Sequence, residues 1–164
     1  MSDQFSANII KLLPNLKRFA ISLCRRPDLA DDLVQSAVER AFRSQSSYDP
    51  GTRLEPWLFR ILRNQWIDVA RRNQTRGVEV DAETALDLPA VDGVRDIEAR
   101  LMLGKTNAAL QNLPEEQREV MILICLQEMT YKEAADILEI PTGTVMSRLA
   151  RGRLALAEKL GINQ

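Results

Sequence analysis

The sequence predicts an all-α protein with two small helical domains joined by an acidic linker. Apolar residues recur at steps of three and four in both halves of the chain, and no segment alternates with the two-residue period of a strand. Acidic residues concentrate between the halves. The chain has 164 residues, 45% of them hydrophobic and 27% charged, which suits a folded chain of one ordinary or two small domains.

The first half predicts three helices that form a domain over residues 6–76. Helix one carries its apolar residues on one face. Pro27 and Asp28 are start signals for helix two, which ends near the polar loop "SQSSYDPGT". Helix three is expected to begin between Leu54 and Pro56. The apolar positions of helix one are Phe5, Ile9, Leu12, Leu16, Phe19 and Leu23.

Charge is segregated along the chain, although the net charge is only -1. Residues 77–100 hold seven acidic residues against two arginines and include Pro89 and Gly93, so residues 77–96 are predicted to be a linker. Residues 53–76 hold six arginines against two acidic residues. Positive charge therefore collects at the end of the first domain.

The second predicted domain, residues 97–162, contains a candidate helix-turn-helix. Asn112 and Pro114 indicate a helix start with two acidic residues in its first turn. Thr130 and Glu133 have the spacing of a capping box. Pro141 ends that helix, and the last helix is expected to begin at Thr142 or Gly143 and to reach about Leu160.

The last helix separates an inner from an outer face. Val145, Leu149, Gly152 and Leu156 fall on the inner side, and Thr144, Arg148 and Arg151 fall on the outer side. This favours DNA contact in the major groove, although a helical hairpin with a solvated basic face explains the same residues. Glu139 occupies a position where glycine is favoured in a left-handed cap, which leaves a right-handed closure of the turn open.

Helix three combines arginines with aromatic residues. One side of it carries Trp57, Arg60, Asn64, Ile67 and Arg71. Proteins that bind single-stranded DNA combine arginines and aromatic residues in this way. The alternative is that the tryptophans belong to the core and the arginines to a solvated face. We expect Trp57 to lie in the core, and Arg71 and Arg72 to contact phosphate.

Helix two contains "DDLVQSAVERAF", in which Asp32, Gln35 and Glu39 share one face. A solvated surface explains this pattern, and so does a protein-binding face. The residues alone do not decide between them.

No enzyme class is indicated. The chain has no histidine and no glycine-rich phosphate loop, and its adjacent carboxylates do not form a catalytic dyad. We predict no catalytic residue, metal, cofactor or small-molecule substrate. Cys24 and Cys125 are expected to be buried free thiols in a reducing compartment. Because no signal peptide or membrane span is evident, we expect a cytoplasmic protein without membrane insertion.

Three segments in order resemble the extracytoplasmic-function sigma factors of bacterial RNA polymerase, which belong to the sigma-70 family. They are "ADDLVQSAVERAF", "PGTRLEPWLFRILRNQWIDVARR" and "LPEEQREVMILICLQEMTYKEAADILEIPTGTVMSRLARGRLAL". The resemblance implies that the first domain is region 2, which binds core polymerase and the -10 element. It implies that the second is region 4, which reads the -35 element. The "YDPGT" loop and "LRNQW" lean toward the alphaproteobacterial general-stress subgroup.

The resemblance also implies binding residues, by position in this sequence. Core polymerase contacts are Asp32, Leu33, Val34 and Gln35, with Ser36 where the family usually has Glu. The -10 DNA residues are Tyr48, Arg53, Trp57, Arg60, Asn64, Asp68, Arg71 and Arg72, and the loop 48–54 is implied to hold an extruded base. The -35 residues are Thr142, Thr144, Ser147, Arg148 and Arg151.

The implied partners are core RNA polymerase, promoter DNA and an anti-sigma factor that covers the two domains. A free-standing helix-turn-helix regulator is the main alternative function. A decoy that sequesters the anti-sigma factor is a third, and the retained arginines argue against it. The acidic linker is expected to lie in the polymerase channel.

Overall fold

The computed structural model describes residues 2–75 and 108–161, and these residues are helical without any strand. The first domain consists of α1 (Ser2–Cys24), α2 (Pro27–Arg43) and α3 (Leu54–Thr75), with a 3-10 turn at Gln45–Ser47. The second contains helical residues 108–111, α4 (Glu115–Met121), a π-helical turn (Ile122–Leu126), α5 (Tyr131–Leu138) and α6 (Thr142–Leu160). The predicted linker 77–96 lies outside the described residues.

Helices α1, α2 and α3 each pack against the other two. Their shared core includes Phe19 and Phe59, whose ring centroids are 5.1 Å apart, together with the fully buried Leu16, Leu58 and Leu62. Pro27 occupies the first turn of α2, where its missing N–H costs no helical hydrogen bond. This bundle holds α3 with one side toward the second domain.

The second domain forms the predicted helix-turn-helix from α5 and α6. The capping box is present: Thr130 Oγ1 accepts the Glu133 N–H at 3.0 Å, and Glu133 Oε1 accepts the Thr130 N–H at 2.9 Å. Val145 and Leu149 are buried on the inner face of α6. The two helices are therefore held at a fixed crossing by the side chains that the sequence assigned to the inner face.

Gly152 allows α6 to approach α4 closely. A Cβ atom at this position would lie 2.9 Å from Met121 Cγ, which is closer than real Cβ contacts. The packing of α6 on α4 therefore depends on the absence of a side chain at residue 152.

The turn between α5 and α6 is closed in the left-handed conformation. Glu139 has φ 57° and ψ 45°, and its N–H bonds to the carbonyl of Ala135. Ile140 N also donates to Ala135 O at 3.1 Å, and its side chain packs against the core. The helix end is thus capped in the usual left-handed way despite the Cβ of Glu139, and the right-handed closure does not occur.

Two local features differ from the sequence expectation. The helix beginning at Glu115 widens into the π-helical turn, where Gln127 N donates to Ile122 O at 3.0 Å. Cys125, within this turn, is exposed, so the expectation of a buried thiol is wrong for it. Cys24 is buried as expected, and burial raises the pKa of its thiol. None of the described helices has the length and hydropathy of a membrane span.

Candidate nucleic-acid interface

The basic side chains predicted to contact -10 DNA lie at the start of α3 and along it. Arg53, Arg60, Arg71 and Arg72 are exposed, whereas Asn64 and Asp68 are half-buried. Asp68 Oδ2 lies 4.0 Å from Nη1 of Arg40, on α2. The helix therefore presents positive charge over most of its length, and Asp68 faces α2.

The aromatic residues form a cluster under the loop that precedes α3. The rings of Tyr48 and Trp57 are 5.1 Å apart, and Phe5 lies 6.0 Å from each. The half-buried Trp57 packs against the core, in agreement with the core expectation, and it retains an accessible part. Tyr48 Oη donates to the Thr52 carbonyl at 2.5 Å, which bridges residues 48 and 52 within the loop.

The recognition helix α6 places most of its predicted residues outward. Thr142 is its first residue, and Thr142, Ser147 and Arg151 are exposed. Ser147 Oγ donates to the Gly143 carbonyl at 3.1 Å, and Thr144 is half-buried. The free amide groups of the first turn and the exposed side chains suit the major groove.

Arg148 and Met146 differ from the sequence interpretation of α6. Arg148 is half-buried, and its guanidinium lies 3.8 Å from Glu116 on α4, at the edge of the outer face. Met146 was not among the predicted residues, yet it is 49% exposed on the outer face. The one sequence feature that indicates its exposure is that it directly follows Val145, because neighbouring residues of a helix point in different directions.

The face of α2 predicted to bind core polymerase is only partly accessible. Asp32 and Gln35 are exposed, while Leu33 is 3% exposed and belongs to the core. Val34 lines an apolar groove together with Leu13 and Val38. Direct contact with a partner is therefore available to Asp32, Val34 and Gln35, and Leu33 positions the helix from inside.

Sequence reasoning missed an interface between the two domains, where α3 contacts α5. We define the arginine row as Arg53, Arg60 and Arg63. Each member meets a carboxylate of the second domain. The nitrogen–oxygen distances are 2.8 Å for Arg53 to Glu133, 3.2 Å for Arg60 to Glu139 and 3.3 Å for Arg63 to Glu119.

Buried charge gathers at the same interface. Burial raises the pKa of Glu119, and the adjacent Arg63 opposes that rise. Burial, and then the charge of Arg25, lowers the pKa of Arg118. The guanidinium groups of Arg25 and Arg118 both donate to the carbonyl of Gln111. The domain contact is thus built around arginines and carboxylates.

Among the described residues, no group of three or more histidine, cysteine or acidic side chains is arranged to hold a metal ion. The surface features of the described residues are instead the basic helices α3 and α6 and the apolar groove beside α2. Charged surfaces of this kind favour contacts with macromolecules of opposite charge.

Family comparisons match both halves of the chain. The model of sigma-70 region 2 matches residues 9–76, and the model of sigma-70 region 4 matches residues 103–156. These matches correspond to the three-helix bundle and to the domain with the helix-turn-helix.

Curated relatives match over nearly the whole chain. The ECF RNA polymerase sigma factor EcfG of Rhodopseudomonas palustris is 36% identical over 163 residues, which covers 99% of this chain and 88% of the relative. The ECF RNA polymerase sigma factor SigM of Bacillus subtilis is 32% identical over 154 residues, covering 89% of this chain and 90% of the relative.

Solved structures share the fold of both domains. The sigma factor RpoE of Bartonella quintana, crystallised with the anti-sigma factor NepR, superposes with a TM-score of 0.82 at 35% identity, covering 98% of this chain and 99% of that one. CnrH, solved with the cytosolic domain of CnrY, has a TM-score of 0.70 at 24% identity over 100% of this chain and 92% of its own. At 24% identity, the similarity to CnrH indicates only a shared fold. The chain therefore belongs to the ECF RNA polymerase sigma factors, alternative sigma subunits that direct promoter-specific transcription.

Proposed function

We propose that three surfaces of this sigma factor each have a separate binding role. In this proposal α2 binds core polymerase, the arginines and aromatics of α3 and its preceding loop bind the -10 element, and α6 reads the -35 element. One observation carries this division. The side chains that the family resemblance assigns to core polymerase, the -10 element and the -35 element lie in three separate places, on α2, on α3 with the loop before it, and on α6, and nine of the seventeen are exposed. Each surface can then be tested separately.

The α3 surface suits a melted strand. Exposed arginines contact phosphate, and the partly accessible rings of Tyr48 and Trp57 offer faces on which bases can stack. Two hydrogen bonds order residues 48–52 of the loop 48–54: the Tyr48 hydroxyl donates to the Thr52 carbonyl, and Asp49 Oδ1 accepts the Gly51 N–H at 2.9 Å. A loop that these hydrogen bonds already order can receive an unstacked base without a further loss of conformational entropy. This lowers the free-energy cost of opening the duplex.

The α6 surface suits a duplex. Thr142 and the N–H groups at the very start of the helix can contact phosphate, and the exposed Ser147 and Arg151 can reach base edges. Arg148, which lies beside Glu116, is expected to contact the DNA backbone at the edge of the groove. The two DNA surfaces thus read two forms of the same promoter.

The α2 surface suits a helical partner on core polymerase. Its groove is lined by the apolar Leu13, Val34 and Val38, and Lys17 and Asp31 form an ion pair of 3.3 Å at its rim. An apolar floor with polar edges gives both affinity and register to a docked protein. Gln35 also lines this groove, and the exposed Asp32 lies on the same helix.

The remaining assignments follow from the family. A sigma factor recognises DNA and contributes no catalytic group, so we infer a protein without enzymatic activity that acts with polymerase in the cytoplasm. RpoE of Bartonella quintana was crystallised with the anti-sigma factor NepR, and CnrH was solved with the cytosolic domain of CnrY. We expect an anti-sigma factor for this chain as well. The similarity to EcfG supports placing it in the alphaproteobacterial general-stress subgroup.

Size-exclusion chromatography with core RNA polymerase tests the α2 assignment. The intact chain should co-elute with the core, and the double variant Asp32→Ala/Gln35→Ala should elute alone. The matched control, Asp3→Ala/Gln4→Ala, removes the same two residue types from the exposed start of α1 and should still co-elute. If the intact chain elutes alone and binds specific duplex DNA by itself, the protein acts as a free-standing regulator.

A further inference from the structure

Phe5, near the start of α1, contacts three other aromatic rings. Its ring centroid lies 5.7 Å from that of Phe42, 6.0 Å from that of Tyr48 and 6.0 Å from that of Trp57. These partners belong to the end of α2, to the loop 48–54 and to the first turn of α3. Phe5 itself is 6% exposed. One buried side chain of α1 therefore touches three different segments around the loop.

The hydrogen bonds of this loop are local. The Tyr48 N–H donates to the carbonyl of Gln45 at 3.1 Å, and the Tyr48 hydroxyl donates to the carbonyl of Thr52. The N–H and the hydroxyl of Thr52 both donate to the carbonyl of Asp49, at 3.0 and 2.8 Å. These bonds set the shape of the loop from within. The contact between the rings of Tyr48 and Phe5 joins the loop to the helical bundle.

The ring contacts of Phe5 restrict orientation as well as distance. The planes of Phe5 and Trp57 meet at 65°, and those of Phe5 and Phe42 meet at 76°. Edge-to-face contacts of this kind are favoured by the charge distribution of aromatic rings. Because the rings of Tyr48 and Trp57 are only 5.1 Å apart, a tilt of one ring would displace the other. The Phe5 ring thus restrains both.

A second phenylalanine of the same helix has a different environment. Phe19 is fully buried, and its ring lies 5.1 Å from that of the fully buried Phe59 in the core of the bundle. The ring partners of Phe5 are instead half-buried or, in the case of Phe42, 43% exposed. Core packing accounts for Phe19, whereas Phe5 supports side chains that remain accessible from outside.

We propose that Phe5 is a positioning residue for -10 recognition: its ring holds Tyr48 and Trp57 in the orientation in which they stack on bases of the melted strand, without touching DNA itself. This inference rests on the proposed function of α3 and the loop before it. Rings that are already oriented bind a base at a lower cost in conformational entropy. Helix α1 would then contribute to promoter recognition from inside the bundle.

Holoenzyme assembled from core polymerase and the full-length chain tests this proposal by fluorescence anisotropy. One labelled probe is a single-stranded oligothymidine of about 15 nucleotides, near the upper site size of single-strand binding domains. The other is an abasic strand of equal length, which keeps the phosphates and lacks the bases. Binding by core polymerase alone is subtracted from both measurements. The difference between the two probes reports the contribution of the bases.

Phe5→Leu keeps an apolar side chain but removes the ring. We expect it to bind the oligothymidine about fivefold more weakly than the unaltered holoenzyme, as the partial loss of base stacking would give. Affinity for the abasic strand should change by less than about twofold, because its phosphate contacts are electrostatic and do not depend on the rings. Equal losses on the two probes, or no loss on either, would overturn the proposal.

Two control variants separate positioning from general stability. Phe19→Leu removes the same ring from the same helix at a fully buried site, and Ile9→Val is a milder change in the buried face one turn after Phe5. Both should leave the two affinities unchanged, including when Phe19→Leu lowers the free energy of unfolding more than Phe5→Leu does. A loss on the oligothymidine alone in either control, as large as that of Phe5→Leu, would contradict the role of Phe5.

The variant Tyr48→Ala/Trp57→Ala distinguishes failure of this inference from failure of the proposed function. If it weakens binding of the oligothymidine while Phe5→Leu does not, the two rings bind bases and Phe5 does not position them. If it binds both probes with full affinity, the role of these rings at the -10 element is itself wrong. Adding Phe5→Leu to this variant should cause no further loss, and a further loss would mean that Phe5 acts other than through the two rings.

Discussion

The two basic helices of this protein, α3 and α6, differ in what lies against them. Arg53, Arg60 and Arg63 of the arginine row meet carboxylates of the other domain, whereas Ser147 and Arg151 of α6 face outward. Arg53 and Arg60 nevertheless keep about half of each side chain exposed, and Arg148 of α6 has a carboxylate neighbour, Glu116, within its own domain. The difference shows that one basic helix also joins the two domains, whereas the other packs against helices of its own domain.

The same contrast appears in how each helix is anchored. α3 belongs to a three-helix bundle with a continuous apolar core, while α6 depends on its crossing with α4 and α5 at Val145, Leu149 and Gly152. Substitutions in the second domain should therefore alter stability at a few positions. Substitutions at the exposed positions of α3 should alter mainly what its surface binds, because the stability of the helix depends on its buried side chains.

The largest expected effect separates the two DNA surfaces directly. In holoenzyme, Arg151→Ala should weaken binding to a promoter duplex roughly tenfold to a hundredfold, since a bidentate base contact contributes about 1–3 kcal/mol. Binding of the single-stranded probe should not change. Gel-shift titration measures both affinities. Arg153→Ala, an exposed arginine two residues further along α6, is the control, and an equal loss in both variants would remove the specific role of Arg151.

A smaller effect is expected where α6 crosses α4. Gly152→Val should lower the free energy of unfolding by about 1–3 kcal/mol, because the added side chain would overlap Met121. Urea denaturation followed by circular dichroism measures this change. Gly143→Ala, where an added Cβ meets no atom within 4 Å, should change stability by less than about 0.5 kcal/mol. Similar losses at both glycines would indicate that close packing is not the cause.

The capping box should contribute less. Thr130→Ala removes the oxygen that accepts the Glu133 N–H and should cost about 1 kcal/mol. Thr130→Ser keeps a hydroxyl in place and should recover most of that loss in the same urea experiment. A serine variant as unstable as the alanine variant would point to the lost methyl group of Thr130 as the cause.

The smallest effect is a dependence on pH at the interface between the two domains. Burial raises the pKa of Glu119 above its ordinary value near 4.5, against the opposing charge of Arg63 and, more weakly, of Arg118, while Glu115 adds to the rise. The folded state then binds the proton more tightly than the unfolded state, so stability is greatest below the ordinary pKa and falls as pH rises through the raised one.

Glu119→Gln lacks this ionisation and isolates its contribution. The stability of the unaltered chain relative to this variant should decrease as pH rises from about 4 to beyond the raised pKa. Thermal unfolding measured at several pH values gives the difference. A constant difference would mean that the carboxyl of Glu119 has the same pKa in both states.

Local signals in the sequence predicted much of the fold. The starts of α2, α5 and α6 follow from Pro27, Thr130 and Pro141, because each residue restricts the backbone or supplies a cap within one turn. The inner face of α6 was predictable because its apolar residues recur at helical spacing, and residues with that spacing lie on the side of the helix that is buried. These helix starts and this helix face are set by residues close together in the chain, so the sequence alone is enough to predict them.

The contacts between domains could not be predicted in the same way. The pair formed by Arg60 and Glu139 joins residues 79 positions apart, and helical periodicity says only that each is exposed on its own helix. Arg148 was assigned to the outer face for the same reason, and only the position of Glu116 on another helix shows that it lies at the edge. The π-helical turn also escaped prediction, because its residues match an ordinary helix pattern.

The left-handed turn at Glu139 places two different demands on one residue. Glycine would relieve the backbone strain at φ 57° and strengthen the turn of the helix-turn-helix, yet it would remove the partner of Arg60. Asparagine would tolerate the backbone but lose the charge. A substitution at this position would therefore exchange a more stable turn for the loss of one ion pair between the two domains.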